Sequence, residues 1–260
     1  MFVDNHSDDD TVETVSRLLP HARVIRNSKN LGFGAANNRA LNAASTPYCV
    51  LLNPDCQPTQ DFFDRLMASA RLNPQSAIIA PHLLKKNGEV ELSYRWPATH
   101  WASRGPGADG PCNVGFACGA TLLLNMRIMR TVGFFDEDFF LYYEDEDLCQ
   151  RVFESKQQIV LDPDLSITHL SRGSVRGKHP YRSEYLRGFH HAQSKLLFEA
   201  KYFGRDQAVK LRWKTLVLAL LTLPLRLIVP QPRYLSRLIG RIRGLCDGVA
   251  MQRVVERAKG

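Results

Sequence analysis

The sequence predicts an α/β fold with a mostly parallel sheet, followed by a helical, basic C-terminal extension. Short apolar runs alternate with helical patterns over the first 170 residues, which is typical of α/β domains. From Tyr181 onward the pattern is helical and rich in Lys and Arg. We therefore expect an α/β domain over residues 1–180 and a separate helical region over residues 181–260.

The predicted elements follow one another in regular alternation. Phe2-Val3 ends a strand, and Tyr48 to Leu52 is a continuous apolar run typical of a buried parallel strand. Further strands are predicted at residues 22–25, 77–81, 118–124, 159–161 and 166–169, and helices at 11–19, 35–44, 62–72, 125–132 and 148–153. Residues 85–88 predict a hairpin turn.

Composition excludes several classes of protein. With 44% hydrophobic and 23% charged residues, the chain is neither largely disordered, nor collagen-like, nor a multi-span membrane protein. Its 6 cysteines form no C-x-x-C pair, so we expect reduced thiols in a cytosolic protein rather than a zinc ribbon or a disulfide scaffold. The first residues have neither a basic nor an apolar leader region, so no signal peptide is expected.

Polar side chains follow the predicted strands at three places. These are Asp4-Asn5 with Ser7 and Asp8, Asn53-Pro54-Asp55, and Glu144-Asp145 with Asp147. Ligands of open α/β sheets bind beyond the carboxyl ends of strands, where acids serve as metal ligands, hydroxyl acceptors or general bases. A turn or a helix cap explains any one of these places equally well. Three of them in one domain favour a ligand site.

The order of these motifs resembles the inverting family 2 glycosyltransferases. The resemblance runs over residues 3–175 and is closest to the rhamnosyltransferase-like enzymes of bacterial surface polysaccharide assembly. The matching motifs are Val3-Asp4-Asn5, Asn30-x-Gly32-Phe33-x-x-Ala36-Asn37-Asn38, Leu52-Asn53-Pro54-Asp55, Cys118-Gly119-Ala120, Val132-Gly133-x-Phe135-Asp136-Glu137, Glu144-Asp145-x-Asp147-Leu148 and His169.

The resemblance implies a GT-A fold, a nucleotide-diphosphate sugar donor and a divalent metal, Mg²⁺ or Mn²⁺. By it, Asp145 matches the catalytic base, Asp4 the acid that binds the nucleobase, and Asp55 the acid that faces metal and diphosphate. The resemblance also makes His169 a candidate for a further metal or diphosphate contact. The implied donor-binding positions are Asp4, Asn5, Asn30, Gly32, Asn37, Asn53 and Asp55.

Other residues of the motifs keep a structural alternative. Gly32 belongs to a loop that either shapes the donor pocket or caps a helix. Trp96 and Glu144 are candidates for the acceptor side, with core packing as the alternative for Trp96. Crowding by neighbouring acids predicts a raised pKa for Asp145, which suits a base. For Asp147 we predict an ion pair with Arg151.

The resemblance begins after the first strand and helix of the family. We therefore expect the sheet to lack its usual first strand, either because the start codon is assigned too far downstream or because the chain is a truncated copy.

Charge divides the chain in two. Residues 1–170 carry 15 Lys and Arg against 21 Asp and Glu, a balance of −6, whereas residues 171–260 carry 19 against 5, a balance of +14. The apolar run from Leu216 to Leu225 is interrupted at Pro224 and is shorter than the roughly 20 residues of a spanning helix. An anionic membrane surface is the expected partner, ahead of a buried helical lid, and nucleic acid is not expected.

We therefore expect an inverting, metal-dependent glycosyltransferase on the cytoplasmic face of the cell membrane. It would move a sugar, with rhamnose from a dTDP donor as the expected case, onto a glycan or lipid-linked acceptor. The alternatives are a nucleotidyltransferase, which also uses carboxylates and a metal on an α/β sheet, and a catalytically inactive membrane-associated scaffold.

Overall fold

The secondary structure comes from a computed structural model that describes residues 1–96, 107–170, 179–228 and 231–247. In chain order the elements are β1 (Phe2–Asp4), α1 (Thr11–Leu18), β2 (Val24–Arg26), α2 (Phe33–Ala43), β3 (Tyr48–Leu52), β4 (Cys56–Gln57), α3 (Phe62–Leu72), β5 (Ser76–Leu84), β6 (Val90–Glu91), β7 (Tyr94–Arg95), β8 (Cys112–Asn113), β9 (Phe116–Ala117), β10 (Thr121–Asn125), α4 (Met126–Val132), α5 (Glu144–Glu154), β11 (Gln158–His169), α6 (Pro180–Phe203), α7 (Arg205–Ile228) and α8 (Pro232–Cys246).

Most of these elements lie where the sequence pattern predicts them. The predicted strand at residues 48–52 and helix at residues 62–72 coincide with β3 and α3. The turn at residues 85–88 joins β5 to β6 as an antiparallel hairpin. The strands predicted at residues 159–161 and 166–169 are parts of one strand, β11. Its pairing with β5 continues past an irregularity between Asp162 and Ser166.

The central sheet of seven strands is mixed rather than mostly parallel, which corrects the predicted strand directions. Its order is β3-β10-β5-β11-β4, with β6 on β5 and β8 on β11. In it β5 and β11 are parallel, whereas β10 runs antiparallel to both of its neighbours. A central strand buried on both faces is apolar throughout whatever its direction, so the pattern does not report direction. Strands β1 and β2 pair in parallel as a separate sheet of two strands.

The core lies on both faces of the central sheet. Along β10, Leu122 and Leu124 belong to one buried cluster and Leu123 to another, as expected when successive side chains of a strand point to opposite faces. Helix α3 covers one cluster with Phe62 and Leu66, both almost fully buried. Strand β10 therefore lies between β3 and β5 with both of its faces buried, and the candidate site lies at its N-terminal end.

The chain divides into two compact units. One comprises Met1–Glu137 with Asp145–Ser174, and the other comprises Asp138–Glu144 with Val175–Gly260. The second unit is built from α6, α7 and α8. Helices α6 and α8 are in backbone contact, because a Cβ atom at Gly188 would overlap the Arg237 carbonyl oxygen and one at Gly240 would overlap the Tyr185 carbonyl oxygen.

Across the described part of the chain, no helix combines the length and the apolar content that a bilayer crossing requires.

Candidate active site

The turn after β3 brings an acid to a histidine. Asn53 donates its N–H to the Ala120 carbonyl at 2.9 Å, and the chain then turns into β4. Pairing of β4 with β11 sets Cys56 opposite His169. As a result, Asp55 Oδ1 lies 3.5 Å from His169 Nε2, and Asp55 is 7% exposed. The two residues predicted as metal ligands are therefore neighbours.

Three side chains at this place offer donor atoms within 4.8 Å of one another: Asp55, Cys56 and His169. The Cys56 thiol is engaged within the chain, since it donates to the Ala120 carbonyl and accepts from Thr121 Oγ1. Burial raises the pKa of Cys56, which disfavours the thiolate that binds metals. The remaining carboxylate is a ligand that suits Mg²⁺ or Mn²⁺, and the imidazole is one that suits transition-metal ions.

Glu91 is a fourth side chain at this place that the sequence analysis missed. Its Oε2 lies 3.3 Å from His169 Nδ1, so His169 stands between two carboxylates. A carboxylate on the far nitrogen of a histidine orients the ring and raises its basicity as a ligand. Glu91 enters the site because β6 folds back on β5, a pairing that the hairpin turn implies.

Asp145 lies at the start of α5 and is held by two backbone donors. Gly119 donates its N–H to Oδ2 at 3.2 Å, and Glu146 donates its N–H to Oδ1 at 3.0 Å. The pKa of Asp145 is raised, as predicted, but the largest cause is burial of its carboxyl rather than crowding by neighbouring acids. The charge of Arg95 opposes this shift. Asp145 is thus a desolvated carboxyl of the kind that serves as a base.

Arg95 is the basic partner of this acidic cluster, and the sequence analysis missed it. It forms an ion pair with Glu146, and its guanidinium lies 3.8 Å from the centre of the Phe116 ring. Burial raises the pKa of Glu146 to about 7 although the Arg95 charge acts in the opposite sense. No local motif marks Arg95, since only the pairing of β7 with β9 brings it here.

The predicted pair of Asp147 and Arg151 is present. Arg151 Nε donates to Asp147 Oδ2 at 2.8 Å, and Asp147 is fully buried. The guanidinium also donates to the carbonyls of Val132, the last residue of α4, and of Gly133, which follows it. This pair therefore fastens α5 to the end of α4 and has a structural role.

Asn5 holds together the loop that precedes α2. Its Oδ1 accepts from Leu31 N at 2.9 Å and from Asn27 Nδ2 at 3.1 Å, and its Nδ2 donates to Asn30 Oδ1 and to the Gly32 carbonyl, each at 3.0 Å. All four hydrogen-bonding positions of the amide are filled by the chain itself. The proposed donor role of Asn5 therefore acts through the shape of this loop.

The other predicted donor residues lie around this loop. Asp4 is buried and accepts from the Ser7 N–H at 3.1 Å, while Asn30 Oδ1 accepts from the Gly32 N–H at 2.9 Å. Gly32 has a φ of 90° and immediately precedes α2, which agrees with a helix cap. Asn37 donates back to the Phe33 carbonyl within its own helix at 3.0 Å.

The two predicted acceptor-side residues are Trp96 and Glu144. Trp96 is partly buried, packs against the core and makes an edge contact with the Tyr94 ring, with 5.7 Å between centroids. Glu144 is buried at the first position of α5. Tyr94 immediately precedes Arg95 on β7, so Trp96 flanks the strand that carries the basic partner of the acidic cluster.

The comparison with known sequences gives a family and a relative. The profile of the family Glycosyl transferase family 2 matches residues 1–133. The chain is 26% identical over 246 residues to N-acetylglucosaminyl-diphospho-decaprenol L-rhamnosyltransferase of Mycobacterium tuberculosis, an alignment that covers 82% of this chain and 78% of the relative.

The comparison with solved structures gives the fold. Mannosyltransferase PcManGT from Pyrobaculum calidifontis, in complex with GDP-Man and Mn²⁺, is similar with a TM-score of 0.52 and 14% identity, over 97% of this chain and 76% of its own. GalNAc-T7, with UDP, GalNAc and Mn²⁺, is similar with a TM-score of 0.51 and 12% identity, over 65% of this chain. The chain spans 37% of the length of GalNAc-T7. These similarities confirm the predicted GT-A fold.

The hydrogen bonds of Asn5 predict that the loop before α2 depends on this side chain. Asn5→Ala leaves two amide donors and two acceptors without their partner, and we expect the free energy of unfolding to fall by about 1–3 kcal/mol. Chemical denaturation measures the change. Asp8→Ala, at an exposed position of the neighbouring turn, is the control and should change stability by less than about 0.5 kcal/mol. Equal stability of Asn5→Ala and Asp8→Ala would contradict this role.

Proposed function

The chain belongs to glycosyl transferase family 2, and we propose that it transfers a sugar, with inversion, from a nucleotide-diphosphate donor to a glycan or a lipid-linked acceptor. The observation that carries this proposal is the arrangement around residues 118–121. This short segment makes backbone or side-chain hydrogen bonds to Asn53, Cys56 and Asp145, so an acid–histidine pair and a desolvated carboxyl share one support.

The division of roles follows from the donor atoms. Asp55 and His169 would hold a divalent cation, Mg²⁺ or Mn²⁺, with Glu91 orienting the imidazole. The presence of Mn²⁺ in the structures of PcManGT and GalNAc-T7 supports a divalent metal. When bound, the cation would neutralise the charge that develops on the departing diphosphate. Asp4 and Asn53, with the loop held by Asn5, would line the donor side.

Asp145 is the proposed general base. Its carboxylate takes the proton of the acceptor hydroxyl as that oxygen attacks the anomeric carbon of the donor. The bond between the anomeric carbon and the diphosphate oxygen breaks on the opposite face, and the nucleoside diphosphate leaves. The two backbone N–H groups that bind Asp145 fix the direction of its free lone pairs, while burial keeps its pKa high enough for it to accept a proton.

The acceptor and the sugar are inferred from the relative. The M. tuberculosis protein is named as an L-rhamnosyltransferase acting on N-acetylglucosaminyl-diphospho-decaprenol, which supports rhamnose and a lipid-linked acceptor for this chain. Trp96 and Glu144 would lie on the acceptor side. Membership of family 2 disfavours the alternative of a nucleotidyltransferase. The alternative of an inactive scaffold is tested by donor binding.

Residues 181–260 are proposed to hold the protein on the anionic inner face of the cell membrane, as a peripheral protein of the cytoplasm. Helix α7 exposes a row of large apolar side chains, Leu218, Leu221, Leu225 and Ile228, each more than half exposed. Their spacing places them along one side of the helix. Together with the balance of +14 over the last 90 residues, this side suits the interface of an anionic bilayer.

The base is tested by Asp145→Asn, which has nearly the same shape but cannot take a proton. Its single amide oxygen can accept from only one of the two backbone N–H groups that bind Asp145. We expect the turnover rate to fall by about 100-fold to 10,000-fold while the affinity for the donor stays within about twofold. Single-turnover transfer and calorimetric donor titration measure the two quantities. Glu154→Gln, at an exposed position of the same helix, is the control and should transfer normally. Near-normal turnover of Asp145→Asn would remove Asp145 from the mechanism.

The metal site is tested by Asp55→Ala. We expect wild-type donor affinity to depend on Mn²⁺ or Mg²⁺ and the variant to lose this dependence, with affinity lower by about tenfold or more, since a ligand of the cation is gone. Titration of the nucleotide sugar with and without metal measures it. Asp64→Ala, an exposed acid on α3, should bind like wild type. Equal donor affinity of the wild type with and without metal would sink the metal site.

Membrane association is tested on vesicles of anionic lipid. Coulomb attraction is screened within about 8 Å at physiological salt, whereas burial of leucine does not depend on ions, so binding should fall with salt to a residual level. The double variant Leu221→Ser and Leu225→Ser should lose the residual part, and Leu72→Ser, 83% exposed on α3, should keep it. Retention of the wild type on membranes washed with alkaline carbonate, or indifference to anionic vesicles at low salt, would contradict peripheral binding.

A further inference from the structure

Helices α7 and α8 enclose a groove within the second unit. Its volume is about 480 Å³, and it is lined by side chains of both helices. Apolar side chains of Leu218, Leu225 and Leu238 form part of its wall. A volume of this size lies within the range of sites that take small organic ligands.

The apolar part of the groove is continuous with the exposed side of α7. Leu218 and Leu225 both line the groove and are 59% and 61% exposed. They lie seven residues apart, about two turns of helix, with Leu221 between them on the same side. A hydrocarbon chain lying along this side would pass from the groove to the exposed leucines over Thr222, whose hydroxyl donates to the Leu218 and Ala219 carbonyls within α7.

The polar part of the groove carries three arginines. Arg237 and Arg241 are one turn apart on α8, and Arg226 comes from α7, where its guanidinium lies 5.2 Å from the centre of the Tyr234 ring. Within the described residues, Glu184 is an acid that pairs with this group: it lies 4.0 Å from Arg237 and also pairs with Arg187 at 3.8 Å. One carboxylate shared between two arginines leaves the groove strongly positive.

The arginine charges add to the effect of burial on the pKa of two groups near the groove. Burial is the main cause that lowers the pKa of Arg241, and the charge of Arg237 adds to it. Burial also lowers the pKa of His191 to about 4, with Arg241, Arg237 and Lys195 as the charges that act in the same direction. Cations that destabilise the charged forms of their neighbours favour the binding of an anion.

We propose that the groove between α7 and α8 binds one lipid whose headgroup is a diphosphate, with the diphosphate at Arg226, Arg237 and Arg241 and the hydrocarbon chain along Leu218 and Leu225. Three guanidiniums match the two or more negative charges of a diphosphate better than the single charge of a phosphodiester lipid. Arginine binds phosphate oxygens through paired N–H donors, which gives both affinity and orientation. The proposal rests on the lipid-linked acceptor of the proposed function and names the part of the chain that holds its lipid.

Binding is measured by calorimetry on the full chain, with farnesyl diphosphate as the probe, and requires no transfer. We expect saturable binding to the wild type, and the double variant Arg237→Gln and Arg241→Gln should bind at least about tenfold more weakly. The matched control is the double variant Arg233→Gln and Arg243→Gln. It removes the same charge from the same helix at two exposed positions outside the groove. It should bind like wild type.

Two further arms identify the ligand chemistry. Farnesol lacks the diphosphate and inorganic diphosphate lacks the chain, so each should bind at least about tenfold more weakly than farnesyl diphosphate. Dihexanoyl phosphatidylglycerol, with a single charge, should also bind more weakly. If farnesol, inorganic diphosphate or phosphatidylglycerol binds with the same affinity as farnesyl diphosphate, the proposed diphosphate headgroup is wrong.

A variant on the other helix distinguishes loss of ligand binding from loss of folding. Arg226→Gln changes a partly exposed residue of α7, and it should weaken binding while the melting temperature stays that of wild type. If all of the arginine variants bind farnesyl diphosphate equally, the proposed lipid site is wrong. The same holds if a wild type that transfers sugar does not bind it, and in both cases the proposed function still stands. Normal binding by a chain that transfers no sugar would overturn the proposed function and leave the groove standing.

Discussion

The site depends on the backbone of residues 118–121, where the chain enters the buried strand β10. Gly119 donates to Asp145, the Ala120 carbonyl accepts from Asn53, and Thr121 donates to Cys56. Because β10 is paired on both sides and its leucines are buried on both faces, this backbone has little freedom to move. Groups from two distant parts of the sequence, residues 53–56 and Asp145, are thereby set against one rigid strand, which is the arrangement that catalysis requires.

The small size of Gly119 also matters for the position of this backbone. A Cβ atom there would lie 3.4 Å from the Asp145 Cβ and 3.4 Å from an edge carbon of Phe33, so the backbone passes closely between these two side chains. Phe33 is the first residue of α2 and directly follows the loop that Asn5 holds. A shift in that loop would therefore reach Asp145 through Phe33 and the backbone of Gly119, which donates to the Asp145 carboxylate. This continuity explains how residues with filled hydrogen bonds, such as Asn5, still shape the site.

The sequence analysis predicted those parts of the site that depend on local pattern. Asp55 and Asp145 stand next to clear element boundaries, and the spacing of Asp147 and Arg151 is that of neighbours on one helix. Arg95 and Glu91 were not predicted, because strands of two residues carry no periodic signal. The position of Arg95 depends on the pairing of β7 with β9, and that of Glu91 on the pairing of β6 with β5. The strand directions were not predicted correctly either. A strand buried on both faces is a continuous apolar run whether it is parallel or antiparallel to its neighbours.

The two halves of the chain carry opposite net charges, so an anionic ligand has a different electrostatic effect on each of them. Under the proposed function, the first half binds a donor that is itself an anion, yet it carries a balance of −6 and its site is rich in carboxylates. Coulomb repulsion between such a site and a diphosphate must be offset by a cation or by backbone donors. Under the same proposal, the pair of Asp55 and His169 would hold that cation, which would account for acids being useful where the ligand is anionic. In the second half, the basic side chains repel one another, because the balance of charge is +14. This repulsion destabilises the helices, and a bound anion reduces it. A lipid with a charged headgroup relieves that repulsion and covers the exposed leucines of α7 at the same time, which neither nucleic acid nor a free phosphate would do.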